Sequence, residues 1–126
     1  MTDEQFILAV YDVVRAIPGQ KIITHGQIAV LIGMPNSSRQ VKNAVRFISH
    51  TTPPVPWYRA VSTSGVISMD DAGRHRKALE EDGIFVYEGT FGEWRVDFER
   101  SGWVPDIETT IRSTGLISEL ISDFGS

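Results

Sequence analysis

The chain contains no cysteine. Disulfides, thiolate metal sites and thiol nucleophiles are therefore excluded before any fold is considered. Acid is missing over a long stretch as well. Between Asp12 and Asp70 the only charged residues are Arg15, Lys21, Arg39, Lys42, Arg46 and Arg59. No apolar run approaches the length that spans a bilayer, and the start, Met1-Thr2-Asp3-Glu4, is acidic rather than basic. These absences predict a soluble, intracellular protein with no membrane contact. Internal repeats and low-complexity tracts are also lacking.

What is present fits one domain: 126 residues, enough to remove roughly two-thirds of the unfolded surface from water. The net charge of -4 speaks against nucleic acid only when read globally. A basic segment followed by an acidic one is what an electrostatic footprint on one face would look like.

The periodicity predicts helices first. Thr2 with Gln5 has capping-box spacing, and Phe6, Val10, Val13, Val14 and Ile17 recur at helical intervals up to Pro18-Gly19,. Lys21-Ile22-Ile23 reads as a short link. Thr24 and Gln27 repeat the box ahead of Ile28, Ala29, Leu31 and Ile32, and Gly33-Met34-Pro35 closes that second helix,. Asn36 or Ser37 is expected to cap a third, running to about Ser49. Val41, Ala44, Val45 and Ile48 give it an apolar stripe, and Arg39, Lys42, Asn43 and Arg46 a polar, basic one. Helix, tight turn and helix is the arrangement whose second member usually meets DNA.

Further on, Arg59 to Ser62 and Gly65 to Ser68 read as two short strands around a turn. Asp70 or Asp71 is expected to cap a helix over Arg74 to Glu81, closed by Asp82-Gly83. Ile84 to Tyr87 and Trp94 to Phe98 follow as a hairpin joined through Gly89 to Gly92. The predicted class is mainly α with a small β component, a winged-helix-like DNA-binding domain over residues 1–103. Residues 104–126 form a C-terminal extension. In it Ile107, Ile111, Ile117, Leu120, Ile121 and Phe124 fit one side of a helix interrupted by Gly115, packed on its own domain, disordered, or used to dock a repair partner.

Between the third helix and the first short strand lies Val55-Pro56-Trp57-Tyr58-Arg59, stiffened by Pro53 and Pro54 before it. A large indole beside a phenol is either core filling or a flat surface for another ring. Aromatics set among basic groups are how proteins hold unstacked bases.

In order and spacing, Pro18 to Gln20, Thr24-His25-Gly26-Gln27-Ile28-Ala29, Gly33-Met34-Pro35, Arg39-Gln40-Val41, Val55-Pro56-Trp57-Tyr58-Arg59 and Leu79-Glu80-Glu81-Asp82-Gly83-Ile84 resemble the DNA-binding domain of O6-alkylguanine-DNA alkyltransferases. The closer resemblance is to the alkyltransferase-like proteins, which carry Trp where the active enzymes have the nucleophilic Cys of Pro-Cys-His-Arg. Direct removal of an alkyl group from a guanine oxygen needs a soft, ionisable nucleophile. An indole supplies none, so no alkyl transfer is expected.

The resemblance implies recognition of double-stranded DNA carrying O6-alkylguanine, flipping of the damaged nucleotide into a pocket, bending of the duplex, and marking of the lesion for nucleotide excision repair proteins. It assigns Arg39 to fill the gap left in the base stack, and Trp57, Tyr58, Ala60 and His25 to the lesion pocket. The Trp57 and Ala60 carbonyls match those that receive the guanine amino group. Ser37, Ser38, Lys42, Asn43 and Arg46 fall to phosphate and groove contacts. Arg59 is expected to hold the loop through backbone or an acid elsewhere. No metal or cofactor is implied, and a monomer is expected, working with DNA in a nucleus or in a bacterial cytoplasm and nucleoid. Two positions depart from the family: His25 stands where relatives commonly have Tyr, and Asp70 lies near where close relatives carry a basic residue. The alternative is a winged-helix regulator without lesion specificity, with Asn43 and Gln40 reading bases.

Overall fold

The computed structural model describes residues 2–50, 55–67 and 73–104. Asp70, Asp71, Pro53, Pro54 and the extension from residue 105 onward lie outside the described residues. The two capping boxes set the first elements. Thr2 and Gln5 exchange hydrogen bonds and open α1, Asp3–Ala16. Asp3 and Glu4 in its first turn and Arg15 in its last suit the helix dipole,. Ile17 is extended ahead of Pro18, which ends the helix,. Thr24 and Gln27 do the same for α2, His25–Leu31. That helix stops where Gly33 takes a φ of +79°, a left-handed conformation natural to glycine,.

The third helix, α3, covers Ser38–Ile48 and buries Val41, Ala44, Val45 and Ile48, the stripe expected of it. Ser37 holds the cap position but makes no side-chain cap bond; at φ -110° and ψ 27° it is outside the extended region from which a capping hydroxyl reaches forward,. Helices α1, α2 and α3 enclose one core with Ile23, Trp57 and Ala60.

The strands correct the sequence reading. Ile23–Thr24 is not a link but β1, and it pairs in parallel with β2, Ala60–Val61, with Ile23 opposite Ala60 and Thr24 opposite Val61. Arg59 belongs to a tight 3-10 turn over Trp57–Arg59 rather than to a strand. The residues from Gly65 do not pair back on Ala60–Val61. Gly65 N–H closes a turn on the Ser62 carbonyl, and Val66 makes a single antiparallel bridge with Arg95. The core-forming Ile23 is the better partner for β2, because both strands are then buried on both sides.

Helix α4, Arg74–Glu81, forms where expected, with Gly73 at its N-cap. The hairpin also forms, as β3, Val86–Glu88, against β4, Trp94–Val96. Phe98 does not continue the strand. Asp97 accepts from the Glu99 N–H and starts a short α5, Phe98–Ser101. A second core of Ile22, Val61, Ile67, Leu79, Ile84 and Val96 joins α4 and the hairpin to the sheet, and Tyr58 touches both cores. Among the described residues the architecture is mostly helical with two small two-stranded sheets, consistent with the helix-turn-helix and wing that the sequence predicts.

Candidate nucleic-acid interface

The exposed side of α3 follows from its periodicity. With four apolar residues buried, Arg39, Asn43 and Arg46 face solvent, Ser38 is exposed, and Ser37 and Lys42 are half-buried. None of Arg39, Lys42 and Arg46 is ion-paired among the described residues. These three cations share one stripe. Asn43 and Ser37 turn to the neighbouring side, where with Gln40 they line a groove of about 510 Å³ between α3 and the start of α1 that also contains Phe6 and Phe47.

The loop carrying Trp57 is held from behind by Arg59. Its Nε donates to Asp82 Oδ2 at 2.8 Å, Nη2 to Asp82 Oδ1 at 2.9 Å and Nη1 to the Ile17 carbonyl at 2.9 Å. Asp82 also accepts from the Gln20 N–H at 3.3 Å. The hydrogen bonds from Arg59, with help from the Gln20 amide, hold the Asp82 carboxyl below its usual range, against the opposing effect of burial. One guanidinium thus joins the ends of α1 and α4 to the turn between them.

Trp57 is 9% exposed, so the indole is no bare platform. Tyr58 meets it edge-on at 5.9 Å, the His75 ring lies tilted at 5.1 Å, and the Arg74 guanidinium sits over its ring at 4.6 Å. The open part of the ring faces a cavity of about 520 Å³ whose wall includes Trp57, Tyr58, Arg74 and Lys77. His25 and Ala60, expected beside Trp57, are not in that wall; both are buried behind it.

His25 is 4% exposed, and its Nε2 has no hydrogen-bond partner. Burial above all, with the Lys42 and His75 charges adding to it, pushes its pKa down to about 4, against a smaller effect of the Ala60 carbonyl. The ring is neutral at physiological pH, so it does not supply a cation to a phosphate. His75, also buried, lies 2.9 Å through Nε2 from the Tyr58 carbonyl. A carbonyl only accepts, so that nitrogen carries the proton.

Sequence reasoning overlooked Arg74, His75 and Lys77 as companions of Trp57. Their only local signal was basic residues at the start of a predicted helix, which reads as a solvated turn. Among the described residues no cluster of His, Asp or Glu is suited to a metal ion.

The sequence profile of the 6-O-methylguanine DNA methyltransferase DNA-binding domain matches residues 5–84. Alkyltransferase-like protein 1 of Schizosaccharomyces pombe is 38% identical over an aligned length of 109, and the match covers 83% of this chain and all of that protein. The DNA base-flipping protein of Escherichia coli is 32% identical over 103 residues, 80% of this chain and 76% of that one. The crystal structure of S. pombe Atl1 in complex with damaged DNA containing O6-carboxymethylguanine superimposes with a TM-score of 0.73 at 36% identity, covering 83% of this chain and 100% of the other. A second structure of the S. pombe protein with DNA gives a TM-score of 0.74 at 35% identity, again over 83% and 100%.

Proposed function

We propose, from the premise that the chain belongs to the 6-O-methylguanine DNA methyltransferase DNA-binding domain family and to its alkyltransferase-like members, that it is a non-enzymatic sensor of O6-alkylguanine in DNA. The observation that carries this reading is Trp57. It stands in the Pro-Trp-Tyr-Arg loop of a chain without cysteine, at the wall of a cavity sized for a small ligand,. The cations Arg39, Lys42 and Arg46, without an ion pair among the described residues, stand on the helix that follows the helix-turn.

In this reading α3 lies against the duplex, with Ser37, Ser38, Lys42, Asn43 and Arg46 at phosphates and groove edges, contacts that position without reading sequence. Flipping a nucleotide costs a few kcal/mol, least for a base that pairs poorly, as an O6-alkylated guanine does. Arg39, which is exposed, fills the vacated place in the stack. Trp57 and Tyr58 shelter the adduct, and Arg59 keeps their loop in place. His25 and Ala60 serve from behind, the Ala60 and Trp57 carbonyls receiving the guanine amino group. Residues 1–103 suffice as a monomer. The flipped, bent complex marks the lesion for nucleotide excision repair proteins. The names alkyltransferase-like and base-flipping on the relatives support lesion binding without transfer.

The test is equilibrium binding at one stated salt concentration to a duplex with a single O6-methylguanine and to the same duplex with guanine. It compares the unaltered protein, Arg39→Ala and Trp57→Ala. Preference for the modified duplex, reduced in both variants, is the expected result. Equal binding to both duplexes by the unaltered protein would assign it instead to the sequence-reading regulators. Mass spectrometry after incubation with methylated DNA should show no added methyl group; a stoichiometric adduct would end the non-enzymatic reading.

A further inference from the structure

We infer that Arg74 and Lys77 form an anion-accepting subsite in the Trp57 cavity, one that favours guanine adducts carrying a negative charge on the O6 substituent. This rests on the lesion-sensor reading above and adds a substrate class to it.

Arg74 is a cation fixed in place that has no carboxylate partner among the described residues. The Arg74 guanidinium is held twice: it sits 4.6 Å over the Trp57 ring, and its Nη2 donates to the Ser49 carbonyl at 2.6 Å, at the end of α3. Both partners are uncharged. Among the described residues no carboxylate pairs with it, whereas Arg59, Arg76 and Arg95 all have one within 3.1 Å. Lys77, one turn further along α4, lines the same cavity and is likewise without an ion pair.

Among the described residues the acid in that wall is Glu81. It stands seven residues beyond Arg74, about 10 Å along the helix axis, so among the described residues no acid lines the Trp57 end of the cavity. The His75 ring, packed against Trp57 at 5.1 Å, adds no negative charge. A guanidinium already oriented by two contacts loses little freedom when it takes up a carboxylate, and its flat donor fork matches that group. An alkyl group resting against Trp57 lies within reach of this fork. A neutral methyl gains nothing from it, whereas a carboxymethyl group has its charge matched.

The experiment measures binding of duplexes carrying guanine, O6-methylguanine or O6-carboxymethylguanine at one low salt concentration, for the unaltered protein, Arg74→Met, Arg74→Lys and Lys77→Met. Thermal melts confirm that each variant is folded. The unaltered protein is expected to prefer carboxymethyl over methyl by roughly tenfold. In Arg74→Met this ratio falls to about twofold or less, because the carboxymethyl adduct loses more affinity than the methyl adduct. Arg74→Lys retains part of the ratio because charge persists, and Lys77→Met lowers it less than Arg74→Met.

Equal losses for both adducts in Arg74→Met would place the cation at a DNA phosphate and overturn the inference. So would an unchanged ratio, or no preference between the adducts in the unaltered protein. If the unaltered protein binds neither adduct better than guanine, the lesion-sensor reading itself fails, an outcome distinct from a lesion preference that does not depend on Arg74.

Discussion

Replacing Asp82 with Asn keeps the shape of the side chain and removes its charge, leaving Arg59 with no anionic partner among the described residues. The pair is bidentate at 2.8 and 2.9 Å, with side-chain exposures of only 15% for Arg59 and 14% for Asp82. Breaking a fully buried pair from one side costs about 3–5 kcal/mol, and an exposed pair is worth under about 1. The residual exposure here, and the Ile17 carbonyl that still accepts from Arg59, bring the expected cost to about 2–3 kcal/mol. In a domain of this size that lowers the melting temperature by about 10–20 °C.

The pH dependence carries the matching sign. Asp82 has a folded pKa below its ordinary value, so the pair's contribution is present above the unfolded carboxylate range and is lost as pH falls through the folded value. The penalty of Asp82→Asn should therefore shrink in acid. Urea denaturation at pH 7 and pH 3, analysed at constant m-value, measures both. A loss under about 0.5 kcal/mol at pH 7, or one that does not diminish in acid, would refute the argument that this pair holds the loop.

Burial of neutral His25 predicts a second pH effect. Its folded pKa, about 4, lies below the unfolded value of about 6.5. The unfolded chain thus binds the extra proton first, and stability is fully present above about 6.5 and declines as pH falls toward 4, by up to about 3 kcal/mol. Comparing denaturation curves of the unaltered protein and His25→Phe at pH 7.5 and 4.5 isolates it, and parallel pH slopes would contradict it. Thr24→Ala removes one half of the box that opens α2 and should cost about 1 kcal/mol in urea denaturation. Gly65 has a φ of +82°, and a Cβ there would stand 3.2 Å from the Phe98 ring and 3.3 Å from the Val96 carbonyl. Gly65→Ala is expected to lose about 1–3 kcal/mol, and a melting temperature equal to that of the unaltered protein would show that the turn relaxes freely.

The parts of this fold that local chemistry dictates were legible in the sequence. Thr2 with Gln5, Thr24 with Gln27, and the stripe from Val41 to Ile48 each specify their helix through neighbours three or four residues away. The pairing of Ile23 with Ala60 was not legible, because two-residue strands have no period to read and their partner is chosen by the core that forms between them. His25 was assigned to the lesion pocket, and nothing along the chain announced that its ring would be buried. The meeting of α2, α3 and β2 that buries it exists only in three dimensions. The loop itself stood out by its residues, but the company Trp57 keeps did not. Arg74 reaches the indole because Leu79 anchors α4 in the second core, and no spacing along the chain announces that.

The parallel ladder between β1 and β2 has a kinetic meaning. It joins the strand that leads into α2 to the strand that leaves the Trp57 turn, and all the chain between them, α2 and α3 included, lies inside the loop it closes. Closing a loop of that length is entropically unfavourable until the enclosed helices have packed. The Trp57 turn therefore becomes ordered late and, once ordered, shares the fate of the helical core. Segments of this kind exchange their amide hydrogens by global unfolding rather than by local fraying. A turn built in this way is not recruited from a floppy ensemble each time it is needed.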